Sequence, residues 1–416
     1  MNQTIPATKV AAKIYIPGSK EMTYRALFLG ALADGVSELR DIFISKEMLA
    51  LVTTLRELGL MIQLDQETRT CIIGGGGGKL PRETGTLFFD HGRTEAILIL
   101  AICATSVGTY QFDAREVLKP IITLFHTALT RLGTKMTPTS IMGQDGLRGG
   151  EVELEHDHTA ILISALLMVA PFAKKPILIK TDDSIIQPLI EMTCEMMADF
   201  NVLVRRMHSG RYSVPVPQRY TARDYVIEPD LSIALNFFAG AAVLGSSVMI
   251  QPVNRKTAKQ SDVEFLQVLE KMGCVIIENE AGLTVHGPEE LKGVNVDTRH
   301  FPDAFMALAA MAPFAKTPTT ITNIRKMRNR DGERLSLMHK ELEKLNVKVE
   351  EGKDWLKIYP SELKIATVDA HDDPRIAMAL SIIRLKVPGI NIQGVDCAEK
   401  ICPGFLEMWG QLLLSS

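Results

Sequence analysis

Leu55-Arg-Glu-Leu-Gly59 returns along the chain as Leu129-Thr-Arg-Leu-Gly133, Met197-Ala-Asp-Phe-Asn201, Leu269-Glu-Lys-Met-Gly273 and Leu342-Glu-Lys-Leu-Asn346, at spacings of 74, 68, 72 and 73 residues. Each copy reads as the last turn of a helix that stops on Gly or Asn, the residues that enter a left-handed conformation at least cost. Apolar β-type residues follow, as in Val202-Leu-Val204 and Val347-Lys-Val349, so each unit is expected to pass from helix into strand. A second marker keeps the register: Ala170-Pro-Phe-Ala-Lys174 recurs as Ala312-Pro-Phe-Ala-Lys316, two periods later. Chance is a poor source of both patterns, and a repeated supersecondary unit is the reading they support.

Working outward, each unit opens on a polar loop that leads into an apolar helix. The six loops are Pro17-Gly-Ser-Lys-Glu-Met-Thr-Tyr-Arg25, Asp90-His-Gly-Arg-Thr-Glu95, Glu155-His-Asp-His-Thr159, Glu228-Pro-Asp-Leu-Ser232, Arg299-His-Phe-Pro-Asp303 and Asp372-Asp-Pro-Arg375. A strand, a second helix with the ending above and a strand pair complete the unit. Six such units fit 416 residues, the last cut short after a helix at 405–414. This alternation excludes an all-α or all-β chain and predicts an α/β (α+β) fold.

The composition is that of a globular protein, 46% apolar and 23% charged, long enough for two domains. Lys and Arg total 46 against 49 for Asp and Glu, so there is no basic field for a nucleic-acid partner. The six cysteines lack paired zinc spacing and read as reduced thiols of a cytoplasmic protein, Cys397 and Cys402 as core residues. Residues 1–12 do not read as a secretory signal. The apolar stretches at 97–104 and 160–173 fall short of the ~20 residues of a membrane span and are expected to be buried helices. Gly74 to Gly78 followed by Lys79 is not a phosphate loop, because Ile73 and Leu80 stand where that motif needs Gly and Ser or Thr; a flexible hairpin turn is expected instead. His156 and His158, beside Glu155 and Asp157, read as a polar helix entry rather than a metal site.

Helix N-termini present unpaired N–H groups and a partial positive charge, so several of them converging on a cleft would bind anions. Lys20, Arg25, Arg330, Arg334, Arg375 and Lys400 would add full charges, suiting a ligand with phosphate and carboxylate groups. The plainer alternative is that these are the capping and surface residues found at any helix start.

Ile16-Pro-Gly-Ser-Lys-Glu-Met-Thr-Tyr-Arg-Ala-Leu27 resembles the signature of the 5-enolpyruvylshikimate-3-phosphate (EPSP) synthase family. The resemblance continues in order through Lys119-Pro120, Glu228-Pro-Asp230, Gln260-Ser-Asp262, Pro302-Asp-Ala304, Arg328-Asn-Arg-Asp-Gly-Glu-Arg334, Arg375-Ile-Ala-Met378 and Lys400-Ile-Cys-Pro403. It implies a two-domain enolpyruvyl transferase fold of six βαβαββ repeats, three per domain. Residues 16–228 would form one domain and 1–15 with 229–416 the other, with substrates bound between them. The implied reaction moves the enolpyruvyl group of phosphoenolpyruvate (PEP) to a hydroxyl of shikimate 3-phosphate and releases phosphate, with no metal or organic cofactor. Both substrates are small molecules, and no nucleic acid or membrane is involved.

By the same resemblance, Lys20, Asp303 and Asp331 are catalytic. Asp303 handles the acceptor hydroxyl, and Asp331, one methylene shorter than the family Glu, exchanges protons with the substrate carbon. Lys20, Gly92, Lys119, Arg334, Arg375 and Lys400 bind PEP, Lys119 replacing an arginine and so losing a planar two-pronged donor set. Glu21, Arg25, Thr159, Ala160, Asp303 and Arg330 face the acceptor. Departures gather there: Glu21 replaces a Ser, Thr159-Ala160-Ile161 replaces Ser-Ser-Gln, Leu189 replaces a Tyr and Pro374 a His. The Asn-Ala-Gly-Thr-Ala-x-Arg motif reads Asp90-His-Gly-Arg-Thr-Glu-Ala96. A paralogue with another acceptor hydroxyl, or a non-catalytic binding protein, are the alternatives. The sister transferase acting on UDP-N-acetylglucosamine is disfavoured, since its cysteine is missing from residues 110–120.

Overall fold

The computed structural model describes residues 12–90, 92–154, 160–181, 187–208, 210–280, 282–324 and 334–414. The first repeat runs β1 (Ala12–Tyr15), α1 (Lys20–Leu32), β2 (Asp34–Arg40), α2 (Lys46–Glu57), β3 (Met61–Asp65) and β4 (Thr70–Gly76). The second is β5 (Thr84–Phe89), α3 (Arg93–Thr105), β6 (Val107–Ala114), α4 (Lys119–Arg131), β7 (Lys135–Thr137) and β8 (Ser140–Gln144). The third is β9 (Gly150–Leu154), α5 (Ala160–Val169), β10 (Ile177–Thr181), α6 (Gln187–Asp199), β11 (Arg205–Met207) and β12 (Arg211–Val214). The fourth is β13 (Tyr225–Val226), α7 (Leu231–Leu244), β14 (Ser247–Gln251), α8 (Phe265–Lys271), β15 (Val275–Asn279) and β16 (Gly282–His286). The fifth is β17 (Asn295–Asp297), α9 (Ala304–Met311), β18 (Thr319–Thr322), α10 (Arg334–Lys344), β19 (Val349–Glu351) and β20 (Trp355–Ile358). The sixth, β21 (Thr367–Asp369), α11 (Pro374–Lys386), β22 (Asn391–Gln393), a 3-10 turn at Val395–Lys400 and α12 (Phe405–Leu414), has no closing strand pair among the described residues.

Each full repeat builds one sheet in the order first, second, fourth, third strand, as in β5-β6-β8-β7 and β17-β18-β20-β19. The first pair is parallel, joined by a crossover helix, and the rest is antiparallel. The first and fourth repeats exchange their opening strands: β1 pairs with β14, and β13 pairs with β2. Two compact units result, Gly18–Glu228 and Pro229–Ser416 together with the segment ending at Pro17.

The five predicted helix stops all lie in the left-handed region, with φ of 99° at Gly59, 97° at Gly133, 70° at Asn201, 105° at Gly273 and 67° at Asn346. In each, the next N–H returns to the carbonyl five residues back: Leu60 to Leu55, Thr134 to Leu129, Val202 to Met197, Cys274 to Leu269 and Val347 to Leu342. Those bonds absorb helix carbonyls that would otherwise lack a donor. The strands after two of the stops begin later than expected, at Arg205 and Val349. The Gln218 amide takes both the N–H and the carbonyl of Leu203, at 2.8 and 3.0 Å, so Leu203 has no ladder bonds left to make. At Lys348 the carbonyl still accepts from the Tyr359 N–H at 3.0 Å in register with β20, but its N–H turns to Ser361 Oγ at 3.2 Å and the ladder stops there.

The glycine run also departs from the hairpin expectation. Gly74 to Gly76 lie in β4, paired to β2 and β3, and only Gly77 and Gly78 turn. The reason is close approach: a Cβ on Gly75 would lie 2.2 Å from the Ala33 carbonyl oxygen and 2.5 Å from that of Gly30, at the end of α1.

The opening helices are apolar around most of their circumference and are buried accordingly; α3 and α5 occupy the two apolar stretches of the sequence. α3 packs against α1 and α5 in one unit, and α7, α9 and α11 pack against one another in the other. The second helices bury one face, α2 through Met48, Leu51, Val52 and Leu55. All six cysteines are unpaired and buried, including Cys397 and Cys402. No described helix is long and apolar enough to cross a membrane.

Candidate active site

In the unit Gly18–Glu228, the signature turns directly into α1. A Cβ at Gly18 would sit 1.8 Å from the Asp41 carbonyl oxygen, so only glycine lets the chain pass there. Ser19 then caps α1, accepting from the Met22 N–H, while its own N–H donates to the Glu228 carbonyl at 2.8 Å. Lys20 is thereby fixed at the first helical position, its Nζ 2.6 Å from Glu47 Oε2. The Tyr24 hydroxyl donates to the same oxygen at 3.3 Å, and burial, reinforced by the Glu47 charge, keeps it protonated. Behind Glu47, Gly92 caps α3 with no side chain to fill its N-terminus. Glu95, three residues on, is buried; that burial, then the Glu47 charge, pushes its carboxyl up to about 7 although the Gly92 N–H and Thr54 bond to it.

Arg25 is held inside the same unit. Its side chain is 2% exposed and all five donors are taken: Nε by Thr193 Oγ1 at 2.8 Å, Nη1 by the Glu21 carbonyl and carboxylate at 2.8 Å, Nη2 by Ser164 Oγ and the Leu189 carbonyl at 3.4 Å. The guanidinium ties α1 to α5 and α6, because burying it among three helices obliges each N–H to find a protein acceptor. Ala160, the first residue of α5, is buried, and Ile161 and Leu189 are half-buried against the core. Lys119 opens α4 on the surface, paired with Glu116 Oε1 at 2.5 Å, a bond that holds its ammonium above the ordinary lysine range.

In the other unit, α7, α9 and α11 begin at Asp230, Asp303 and Asp373 respectively. Arg375 Nη1 lies 2.6 Å from Asp303 Oδ1. Asp373 accepts from the Arg375 N–H at 2.9 Å and from Arg334 Nε at 2.5 Å, so one carboxylate caps α11 and anchors the start of α10. Lys400 Nζ reaches the adjacent Asp372 at 2.5 Å. Asp303, Arg375, Arg334 and Lys400 thus form one connected group at the N-terminus of α11. Asp262, in the 3-10 turn Ser261–Glu264, belongs to the same electrostatic neighbourhood as Asp303, Asp230 and Arg375. Thr159, Arg330 and Asp331 lie outside the described residues, as do His156 and His158.

A family model described as EPSP synthase (3-phosphoshikimate 1-carboxyvinyltransferase) matches residues 5–409. The chain belongs to the EPSP synthase family. The 3-phosphoshikimate 1-carboxyvinyltransferase of Trichormus variabilis is 37% identical to it over 426 residues, 98% of this chain and 99% of its own. That of Shewanella oneidensis is 34% identical over 420 residues, 98% of each. Among solved structures, an EPSP synthase from Acinetobacter baumannii aligns at a TM-score of 0.84 over 98% of this chain and 97% of its own; at 20% identity it speaks for the fold alone. The EPSP synthase family is one of transferases with small-molecule substrates, so the family and fold class read from the sequence are those found.

The sequence gives a role to Glu21 and Asp303, which hold Arg25 and Arg375, but none to Glu47, Glu116, Asp372 and Asp373, the acids paired with Lys20, Lys119, Lys400 and Arg334. Glu95 stands in the loop that opens the second repeat, where nothing local marks its burial, and Glu47 lies 27 residues from Lys20 in an ordinary helix start.

Proposed function

We propose that this chain transfers the enolpyruvyl (carboxyvinyl) group of PEP to a hydroxyl of shikimate 3-phosphate, the activity its relatives are named for. The acceptor oxygen forms a bond to the central carbon of PEP as a proton joins the methylene carbon. The carbon–oxygen bond to phosphate then breaks as a proton leaves the methyl group, giving the new enol ether and inorganic phosphate. In this reading Asp303 takes the hydroxyl proton, its ionised form favoured by Arg375 at 2.6 Å. Asp331 exchanges protons with carbon. Lys20, Gly92, Lys119, Arg334, Arg375 and Lys400 receive the phosphate and carboxylate of PEP, where cations and a helix N-terminus stabilise developing charge. Glu21, Arg25, Thr159, Ala160 and Arg330 belong to the acceptor side, Arg25 as the residue that orders α1. Six buried, unpaired cysteines fit a reducing compartment, and we place the protein in the cytoplasm.

The observation that carries this reading is the match over residues 5–409 in a chain whose Asp303 and Arg375 are held in contact. The test is phosphate release from PEP and shikimate 3-phosphate by the purified chain. Asp303→Asn is expected to lower kcat by roughly 10²–10⁴-fold, with unchanged circular dichroism. One observation favours a second reading: the Glu21 carboxylate occupies Arg25, and Ile161 and Leu189 stand where the family carries polar acceptor ligands. Phosphate release with another hydroxylated anion, and none with shikimate 3-phosphate, would select a paralogue with a different acceptor.

A further inference from the structure

Between β21 and α11 the chain passes through two consecutive left-handed residues, His371 at φ 53° and Asp372 at φ 55°. Neither is glycine, so the turn carries backbone strain and persists only where its surroundings hold it. Part of that hold is local: the His371 N–H donates to Asp369 Oδ1 at 2.7 Å, and the Asp373 N–H to the Ala370 carbonyl at 2.9 Å. The rest comes from Glu341, buried on α10, whose Oε2 accepts from the Asp369 N–H at 3.0 Å and whose Oε1 lies 2.8 Å from His371 Nε2. Directly after the strained pair come the acids that hold three cations. Asp372 pairs with Lys400, while Asp373 pairs with Arg334 and caps α11 through the Arg375 N–H. Arg334 and Glu341 are seven residues apart on α10, two turns along one face. The segment 369–373 is therefore fastened to that face at two points, to Glu341 through Asp369 and His371 and to Arg334 through Asp373.

We propose that His371 is a positioning residue for anion binding: its bond to Glu341 holds the left-handed turn, and the turn sets Lys400, Arg334 and Arg375 for one ligand. A loop tied by ion pairs alone can pivot about them, whereas a second fastening on the same helix face fixes its direction. Without the imidazole, the strained pair is free to relax toward ordinary backbone angles, carrying Asp372 and Asp373 and the cations they hold out of place. An incoming anion must then restore the arrangement as it binds, and its affinity falls by that cost. The binding half of this inference rests on the reading of Arg334, Arg375 and Lys400 as PEP ligands.

Two substitutions in the full chain test both halves. His371→Asn keeps a side chain that tolerates the left-handed conformation but is too short to reach Glu341, and His371→Gln restores a donor of suitable length. The amides of Asp369, His371, Asp373 and Arg375 are all bonded in this turn, so its loosening is read without substrate as faster hydrogen exchange over residues 369–378. Exchange there is expected to be faster in the Asn variant than in the wild type or the Gln variant. In phosphate release at saturating shikimate 3-phosphate, the Asn variant is expected to raise KM for PEP about tenfold with kcat within about twofold, and the Gln variant to recover the wild-type KM. Unchanged exchange in the Asn variant would overturn the hold of His371 on the turn. Faster exchange with an unaltered KM would overturn the link to anion binding. A Gln variant as impaired as the Asn variant would show that the bond to Glu341 is not the cause. A wild type that releases no phosphate would defeat the functional reading, while exchange still decides what His371 holds. Should the Asn variant not fold, exchange in the Gln variant equal to that of the wild type supports the proposal, and faster exchange overturns it.

Discussion

At the scale of single residues, every described cation assigned to the substrates is held by an acid: Lys20 by Glu47, Arg25 by Glu21, Lys119 by Glu116, Arg334 by Asp373, Arg375 by Asp303 and Lys400 by Asp372. Long side chains lose much entropy when a ligand fixes them, and a carboxylate that fixes them beforehand reduces that loss at the cost of some attraction for the anion. Arg25 is the extreme case, since its donors are wholly used inside the protein. Arg25→Ala would remove the guanidinium donors to Thr193, Ser164 and the Leu189 carbonyl and leave a void beneath α1, while the part-exposed Glu21 carboxylate turns to water. A destabilisation on the order of 3 kcal/mol is expected, read as a lower urea midpoint, with Arg25→Lys intermediate because an ammonium cannot span α5 and α6.

At the scale of elements, the same few devices return: opening helices capped by the Ser19, Asp230 and Asp373 side chains, left-handed stops on the second helix of the first five repeats, and strands run tightly under a helix end at Gly75 and Gly143. The endings were legible because they depend on local backbone chemistry, which Gly and Asn announce wherever they stand. The glycine run was misread because its glycines serve a contact with residues about forty positions away, which no local pattern displays. Gly75→Ala tests that reading. Its Cβ would meet the carbonyls of Ala33 and Gly30, so β4 must withdraw from α1, costing about 1–3 kcal/mol in chemical denaturation. A neutral outcome would return the run to the role of a flexible turn.

At the scale of the whole molecule, the fifth and sixth repeats are joined through a buried acid. Glu341 of α10, with no side-chain exposure, accepts from Lys344 Nζ at 2.7 and 2.8 Å and from the Asp369 N–H of β21 at 3.0 Å, and pairs with His371 Nε2 at 2.8 Å. Burial alone would raise its pKa; the Lys344, Asp369 and His371 bonds outweigh burial and hold it below the ordinary 4.5. A folded pKa below the unfolded one contributes stability that is complete above about 4.5 and is lost as pH falls through the folded value. Glu341→Gln is therefore expected to lower Tm at pH 7, with the gap closing below about pH 4. A gap that widens on acidification would contradict the assignment.

Read alone, the chain determined its repeat, its layered α/β class, its buried helices and its family, because these follow from periodicity, from local stops and from motifs whose order survives substitution. Tertiary structure alone decided which opening strand joins which sheet, where β11 and β19 begin, that Arg25 turns inward, and which acid holds each cation. Those outcomes depend on burial and on partners distant along the chain. A carboxylate looks the same in a sequence whether water, a guanidinium or nothing at all waits beside it.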